Sequence, residues 1–425
     1  MGVIFLEIIV PLAITIFLAY KLGMIQKIAT IFKQKKYTQL FYSIGLKTLN
    51  NEYPIWLCED ETEYLKILAF QSRVPVKDWV IKKSHIETFL NAKISKIHNH
   101  HENNNIVYVE VIKKDLPQTL DWSDDEPYAF DEVDILSLGI SYDGLVGIDL
   151  NKNAHAFIAG ETGSGKSNIL KGLIYQSIVK FYDVILIDFK RGVSFSTFDK
   201  HIKIYSEHEE SKIILEKLVA ETNARYDYFR KKRVEDLRAF NNLGGRQMCR
   251  IIVFIDELAE LIKTSDKEAT KSIMNSLETL TRLSRGAGIS LIMGIQRPDS
   301  TVITGQIKNN VSFRVCGRFV DPEPSRIMLG NDMATKIPNK KGRFIIKDDD
   351  YTEFQAFRFT DEILDMDSLL PNEPIQAEKP QEAPKPKEQQ KNYQPISKEP
   401  PQETQRVQEP KRVQNIEFNF DNIKL

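Results

Sequence analysis

The chain has 425 residues, enough for one large core or two smaller ones. Lys and Arg number 58 against 59 Asp and Glu, a formal net charge of −1, so no global field draws the chain to nucleic acid. Any such contact must come from a local patch or from several subunits acting together. Cys58, Cys249 and Cys316 lie far apart and form no C-x-x-C pair, which argues against a disulfide frame or zinc site and for a reducing compartment.

The first element in chain order is apolar. Val3 to Tyr20 is broken only by Glu7, Pro11 and Thr15, and is just long enough to cross a bilayer. Lys21, Lys27, Lys33, Lys35 and Lys36 follow it, so the positive-inside rule places the N-terminus outside and the rest in the cytoplasm. Residues 1–22 are therefore expected to be a transmembrane helix, a single-pass anchor in the cell membrane. A buried core helix is the alternative. A cleaved signal peptide fits less well, because no basic stretch precedes Val3 and no small-residue cleavage site follows Tyr20.

Residues 23–60 read as a basic juxtamembrane segment, helical over Lys33 to about Leu57. Residues 61–120 read as a small α/β domain, with a helix over Ser84 to Leu90 and strands over Ala92 to Ile97 and Ile106 to Ile112. His98, His100 and His101 flank or occupy the Asn-rich turn between those strands. A metal site there has no further ligand cluster to support it, and an exposed turn is the plainer reading. Residues 121–135 read as an acidic linker. Strands are then expected at His155–Ala159, Val184–Asp188, Ile251–Asp256, Ile289–Ile295 and Val311–Val315, with helices such as Ser211–Lys231 and Ala269–Ser284 between them. Continuous apolar strands alternating with helices predict a doubly wound, mostly parallel α/β sheet over 136–370. Nine of the 18 prolines fall in 371–425, with many Gln, Glu and Lys and no Gly, which predicts a disordered tail. Its end, Ile416 to Phe420 and Ile423 to Leu425, regains apolar alternation, as a stray terminus or as a short docking motif.

Gly160-Glu161-Thr162-Gly163-Ser164-Gly165-Lys166-Ser167 fits G-x-x-x-x-G-K-[ST], the phosphate-binding P-loop, and Asn168 follows it. Glycines let backbone N–H groups face a triphosphate at close range. A buried strand enters this loop and a helix leaves it, so the helix N-terminus faces the phosphates. Lys166 is expected to neutralise β- and γ-phosphate charge, and Ser167 to hold Mg²⁺ (magnesium). ATP and Mg²⁺ are the expected ligands.

Ile251-Ile-Val-Phe-Ile-Asp256-Glu257 brings two carboxylates to the carboxyl edge of the sheet. Asp256 is expected to hold Mg²⁺, and Glu257 to orient and deprotonate the attacking water. Asp256 as a helix N-cap is the structural alternative. Gln296 ends the next strand, where a side-chain amide reaches a γ-phosphate or its water. Arg285, between a helix and that strand, suits an arginine finger reaching a neighbouring subunit, although most surface arginines are simply solvated.

The whole set resembles the FtsK/SpoIIIE DNA translocases and their relatives, the coupling ATPases of conjugation. The likeness runs from about Val74 to Ile346. It rests on Gly147-Ile-Asp-Leu150, Ala159 to Ser167, Ile187-Asp-Phe-Lys-Arg-Gly192, Arg225-Tyr226, Phe254 to Leu261, Arg285-Gly-Ala-Gly-Ile289, Gln296-Arg-Pro298 and Ile303 to Asn310. The order and spacing of these blocks are more specific than any one alone. The resemblance implies a RecA-like P-loop NTPase core, a homo-hexameric ring and DNA threaded through its centre. It also implies Gln296 as sensor and Arg285 as the finger in trans.

The chain departs from the chromosome translocases of that family, which carry several membrane helices and a C-terminal winged-helix module. A single anchor and a Pro/Gln tail look more like a coupling ATPase of a conjugative element, with relaxase or secretion-channel proteins as partners of the tail. Lys308, Asn309 and Arg314 are the residues expected near DNA, single- or double-stranded. Arg225 to Arg233 mixes cations with aromatics, and a solvated helix face is the favoured reading there. Three other functions compete: a chromosome or plasmid segregation motor, a secretion ATPase moving protein, and an ATP-gated docking platform. A single P-loop disfavours the second, and an intact Asp256–Glu257 pair the third.

Overall fold

The computed structural model describes residues 24–123, 129–130, 134–245 and 247–360. The apolar stretch at Val3–Tyr20 and the tail at 371–425 lie outside the described residues. Among the described residues no helix is long and apolar enough to cross a membrane.

The N-terminal part begins with helix α1 (Met24–Ile44), followed by strands β1 (Ile55–Glu61) and β2 (Leu65–Gln71). Short helices α2 (Val76–Ile81) and α3 (Lys83–Leu90) lead into strands β3 (Ile94–Asn99) and β4 (Ile106–Ile112). The helix expected from Lys33 to Leu57 thus stops at Ile44, where Gly45 turns the chain at φ +66. The four strands form an antiparallel sheet in the order β1-β2-β4-β3. Tyr37, Leu40 and Phe41 of α1 pack on Phe70, Trp79, Val107 and Val109, so α1 shares one core with that sheet. His98 Nε2 lies 2.9 Å from Glu110 Oε1, and no metal-ligating cluster occurs among the described residues.

The segment expected as a linker starts inside the structure. β5 (Leu120–Asp121) pairs with a later strand, and Trp122 packs edge-on against Tyr175, Phe357 and Phe359. A hairpin follows, β6 (Ile135–Ser141) and β7 (Gly144–Asp149).

The core sheet then assembles from β8 (His155–Ala159), helix α4 (Lys166–Val179), β9 (Asp183–Ile187), β10 (Lys203–Tyr205), α5 (His208–Lys232) and α6 (Leu237–Asn241). It continues with β11 (Ile251–Ile255), α7 (Leu258–Ile262), α8 (Lys267–Leu283), β12 (Ile289–Ile295), α9 (Gly305–Asn310), β13 (Phe313–Gly317) and α10 (Pro322–Leu329). β14 (Arg343–Lys347) and β15 (Tyr351–Arg358) complete it. The strand order is β10-β9-β11-β12-β8-β13-β14-β15-β6-β7. From β10 to β13 all neighbours are parallel, and from β13 to β7 all are antiparallel.

Alternation along the buried strands explains how both faces are covered. Ala156 and Ile158 of β8 face α4, with Leu170 and Leu173, while Phe157 and Ala159 join the opposite layer with Leu215, Leu277 and Leu280. Helix α4 is also pinned to the antiparallel extension: the Gln176 amide exchanges hydrogen bonds with the backbone N–H and C=O of Ser137, at 2.7 and 2.9 Å. β13 starts two residues later than expected, because Val311 closes α9 through an N–H bond to Ile307.

Candidate nucleotide site

Strand order decides which residues can meet. β12 lies between β8 and β11, so its carboxyl end stands between the P-loop and the Asp256–Glu257 pair. The Gly160 N–H donates to Ile295 O at 3.1 Å, and the Asp256 N–H donates to Ile187 O at 3.1 Å. Four strand ends, those of β9, β11, β12 and β8, thereby stand side by side at the carboxyl edge of the sheet, where open α/β sheets bind ligands.

The loop itself needs its glycines. Gly163 and Gly165 adopt φ of +87 and +110, which L side chains rarely take. Gly165 is the N-cap of α4, with no side-chain cap bond, so the first N–H groups of a 14-residue helix are available to an anion. The Glu161 carboxylate accepts the Val320 N–H at 2.8 Å, and Ser164 O accepts the Gly342 N–H at 2.9 Å, which holds the loop between the segments flanking α10.

Lys166 is 4 % exposed. Its Nζ bonds to the carbonyl oxygen of Asp256, and lies 3.3 Å from Asp256 Oδ1 and 3.5 Å from Glu257 Oε2. Room for this lysine comes from Gly294, where a Cβ would stand 2.1 Å from Asp256 O and 2.9 Å from Lys166 Nζ. Glu257 is buried, takes the N-cap position of α7 in place of Asp256, and accepts the Gln296 N–H on Oε2 at 2.9 Å. Burial raises the Glu257 carboxyl above the ordinary range, against the opposing pull of Lys166 and of backbone donors from Gln296 and Ala259.

Those residues fit a bound nucleotide and metal. Ser164 Oγ is buried and has no hydrogen-bond partner among the described residues, although it lies in the loop that would wrap a phosphate. A buried lysine, two carboxylates and an uncapped helix N-terminus supply the charges that Mg²⁺ and a triphosphate require. Lys166, Ser167 and the loop backbone would hold the phosphates, and Ser167 with Asp256 the metal. The Asn168 side chain is committed elsewhere: its amide donates to Phe357 O at 2.6 Å and accepts the Phe359 N–H at 3.0 Å.

Four expected residues lie away from this cluster. Arg285 precedes β12 at the opposite edge of the sheet, exposed, with Nε donating to Asn151 O at 3.0 Å. The seven residues of β12 separate it from its own P-loop by about 20 Å. Lys308 is half-buried and Asn309 exposed on α9. Arg314, expected near a pore, is instead buried in β13. Its guanidinium donates to Val311 O, Met328 O and Lys308 O at 3.0, 2.9 and 2.6 Å, which leaves it a structural role. Arg225, at the head of the basic stretch, is likewise buried and bonded to Glu221, Cys249 O and Ala287 O.

One site residue had no role in the motif reading. Lys190 Nζ stands 3.3 Å from Asp256 Oδ2. Its signal was the block Ile187 to Gly192, which follows a strand that ends beside β11.

Fold and site together define a P-loop ATPase with one strand inserted between its phosphate loop and its acidic pair. The sequence profile of the FtsK/SpoIIIE family matches residues 135–300. Structural similarity extends to the pCW3 conjugation coupling protein TcpA, solved in a monomer form with ATPgS. Identity is 34%, TM-score 0.57, and the match covers 77% of this chain and 96% of that one. DNA translocase FtsK of Staphylococcus aureus is 31% identical over 240 residues, 52% of this chain and 30% of the relative. FtsK of Leptospira interrogans is 33% identical over 219 residues, 48% of this chain and 22% of the relative. The matches therefore span less than a third of those curated relatives. The chain belongs to the FtsK/SpoIIIE family.

Proposed function

We propose that this chain is an ATP-driven DNA translocase of the coupling-ATPase type, moving DNA during conjugative transfer. The similarity to TcpA over 96% of that protein carries the reading, together with the Lys166–Asp256–Glu257 cluster. Ser167 and Asp256 would hold Mg²⁺, which would supply charge neutralisation at the phosphates. Glu257, a buried carboxylate held by the Gln296 N–H, accepts the proton of the attacking water. Lys166 leaves the acidic pair for the phosphates when nucleotide binds, and the Gln296 side chain senses the γ-phosphate.

Arg285 lies too far from its own P-loop to act there, so it completes the site of a neighbouring subunit in a homo-hexameric ring. Lys308 and Asn309 are the DNA-facing residues. The Val3–Tyr20 segment anchors the ring in the cell membrane with its bulk in the cytoplasm, and the tail recruits relaxase or secretion-channel partners. The test is ATP turnover measured with and without DNA. A segregation motor differs from this reading in the DNA it moves. The same site would serve it, and the length of TcpA covered favours conjugation.

A further inference from the structure

Asp256 has two lysines on it. Oδ1 lies 3.3 Å from Lys166 Nζ, and Oδ2 lies 3.3 Å from Lys190 Nζ. The first lysine is buried, whereas the second is 47 % exposed. Asp256 itself is 2 % exposed, so its carboxylate has little water to lose when a partner changes.

The position of Lys190 is built rather than incidental. Parallel pairing sets Ile187 beside Ile255, which puts the residues after β9 next to those after β11. Asp188, 1 % exposed, then closes a tight turn: Oδ1 accepts the Lys190 N–H at 3.0 Å and Oδ2 accepts the Gly192 N–H at 2.9 Å. Arg191 takes the left-handed conformation this turn requires, at φ +57. The backbone of residue 190 is thus fixed by a buried carboxylate, while its side chain bridges to a second one.

An ammonium and a dication on one buried carboxylate repel each other, so the binding of either weakens the other. Lys166 has a destination when nucleotide arrives, the phosphates of the same P-loop. Lys190 has none within the loop. From this geometry we infer that Lys190 is an exchangeable counter-ion: it neutralises Asp256 while the metal is away and is displaced from Oδ2 when Mg²⁺ binds. Lys190 is a positioning residue in this role, acting through Asp256. Displacing it frees the side chain from Asp256 while Asp188 still holds the turn at Lys190–Gly192, so metal binding is reported at the surface beside the site.

The inference rests on the nucleotide-site reading, and one measurement separates the two. Mn²⁺ affinity is read by electron paramagnetic resonance on the full chain with a non-hydrolysable ATP analogue. Variants are Lys190→Ala, Lys190→Arg and Asp256→Asn. Removing a competing, half-exposed cation should tighten Mn²⁺ binding about threefold or more in Lys190→Ala. Lys190→Arg should stay close to the parent, and Asp256→Asn should bind weakly. Unchanged or weaker Mn²⁺ binding in Lys190→Ala, with a parent that binds normally, overturns the counter-ion role alone. A parent chain that binds no Mn²⁺ with the analogue overturns the site reading and this inference with it.

Discussion

Lys166 Nζ sits 3.5 Å from Glu257 Oε2, with Gln296 holding that same oxygen through its backbone N–H. The P-loop lysine, the second carboxylate of the acidic pair and the inserted strand therefore meet at one atom. Under the proposed mechanism, movement of Lys166 toward phosphate would remove a positive charge from Glu257 and leave the carboxylate a stronger base.

Glu257→Gln should bind ATP and turn it over about 10²–10⁴-fold more slowly, the usual contribution of a general base. Lys166→Ala should lose nucleotide binding itself. Fluorescent-nucleotide binding and steady-state phosphate release distinguish the two variants. Turnover at the parent rate in Glu257→Gln would remove Glu257 from the mechanism.

The acid limb of the pH–rate profile should lie above the ordinary carboxylate range, near 4.3 for an unperturbed Glu. Burial raises the Glu257 carboxyl, so its basic form is present above that raised value and is lost as pH falls through it. A profile of turnover against pH under saturating nucleotide checks this. The limb should disappear in Glu257→Gln, where the residual rate no longer depends on that proton.

Gly294→Ala tests the packing beneath the site. The added Cβ would meet Asp256 O at 2.1 Å, and that atom is backbone between two central strands. Overpacking of this kind costs about 1–3 kcal/mol. Thermal unfolding should shift down, and turnover should fall by at least tenfold as Asp256 and Lys166 lose register.

Arg314 and Lys308 should separate stability from DNA contact. Arg314→Ala leaves three carbonyls, two of them buried, without this donor and should cost about 2–4 kcal/mol of stability. Lys308→Ala should leave unfolding nearly unchanged and weaken DNA binding with a reduced salt slope. Denaturant titration and binding at two salt concentrations read the two effects.

Much of the site was legible because its chemistry restricts residue type. Glycines at 163 and 165, the lysine that follows, and an apolar strand ending in two acids leave few other readings. The parallel strands β8, β9, β11 and β12 were equally plain, since burial on both faces makes them continuously apolar. The antiparallel extension was hidden because it carries buried polar groups. Arg343, 2 % exposed, bonds to Gln355 and Glu353 on β15, and no local pattern announces such pairs. Arg314 misled for the same reason. Charged residues are rarely buried, and its carbonyl acceptors come from Lys308 of α9, Met328 of α10 and Val311, an arrangement completed only when α10 packs on β13. Lys190 was visible as a residue but not as a ligand of Asp256, since that contact depends on β9 lying beside β11.

In the proposed function, ATP hydrolysis at Lys166 and Glu257 drives movement along DNA. Steady-state ATP turnover by the full chain, with and without duplex and single-stranded DNA at low salt, tests it most directly. DNA should stimulate turnover strongly, with the stimulation reduced in Lys308→Ala and absent in Glu257→Gln. Basal turnover unmoved by either form of DNA, where phosphate contacts are strongest, would contradict it.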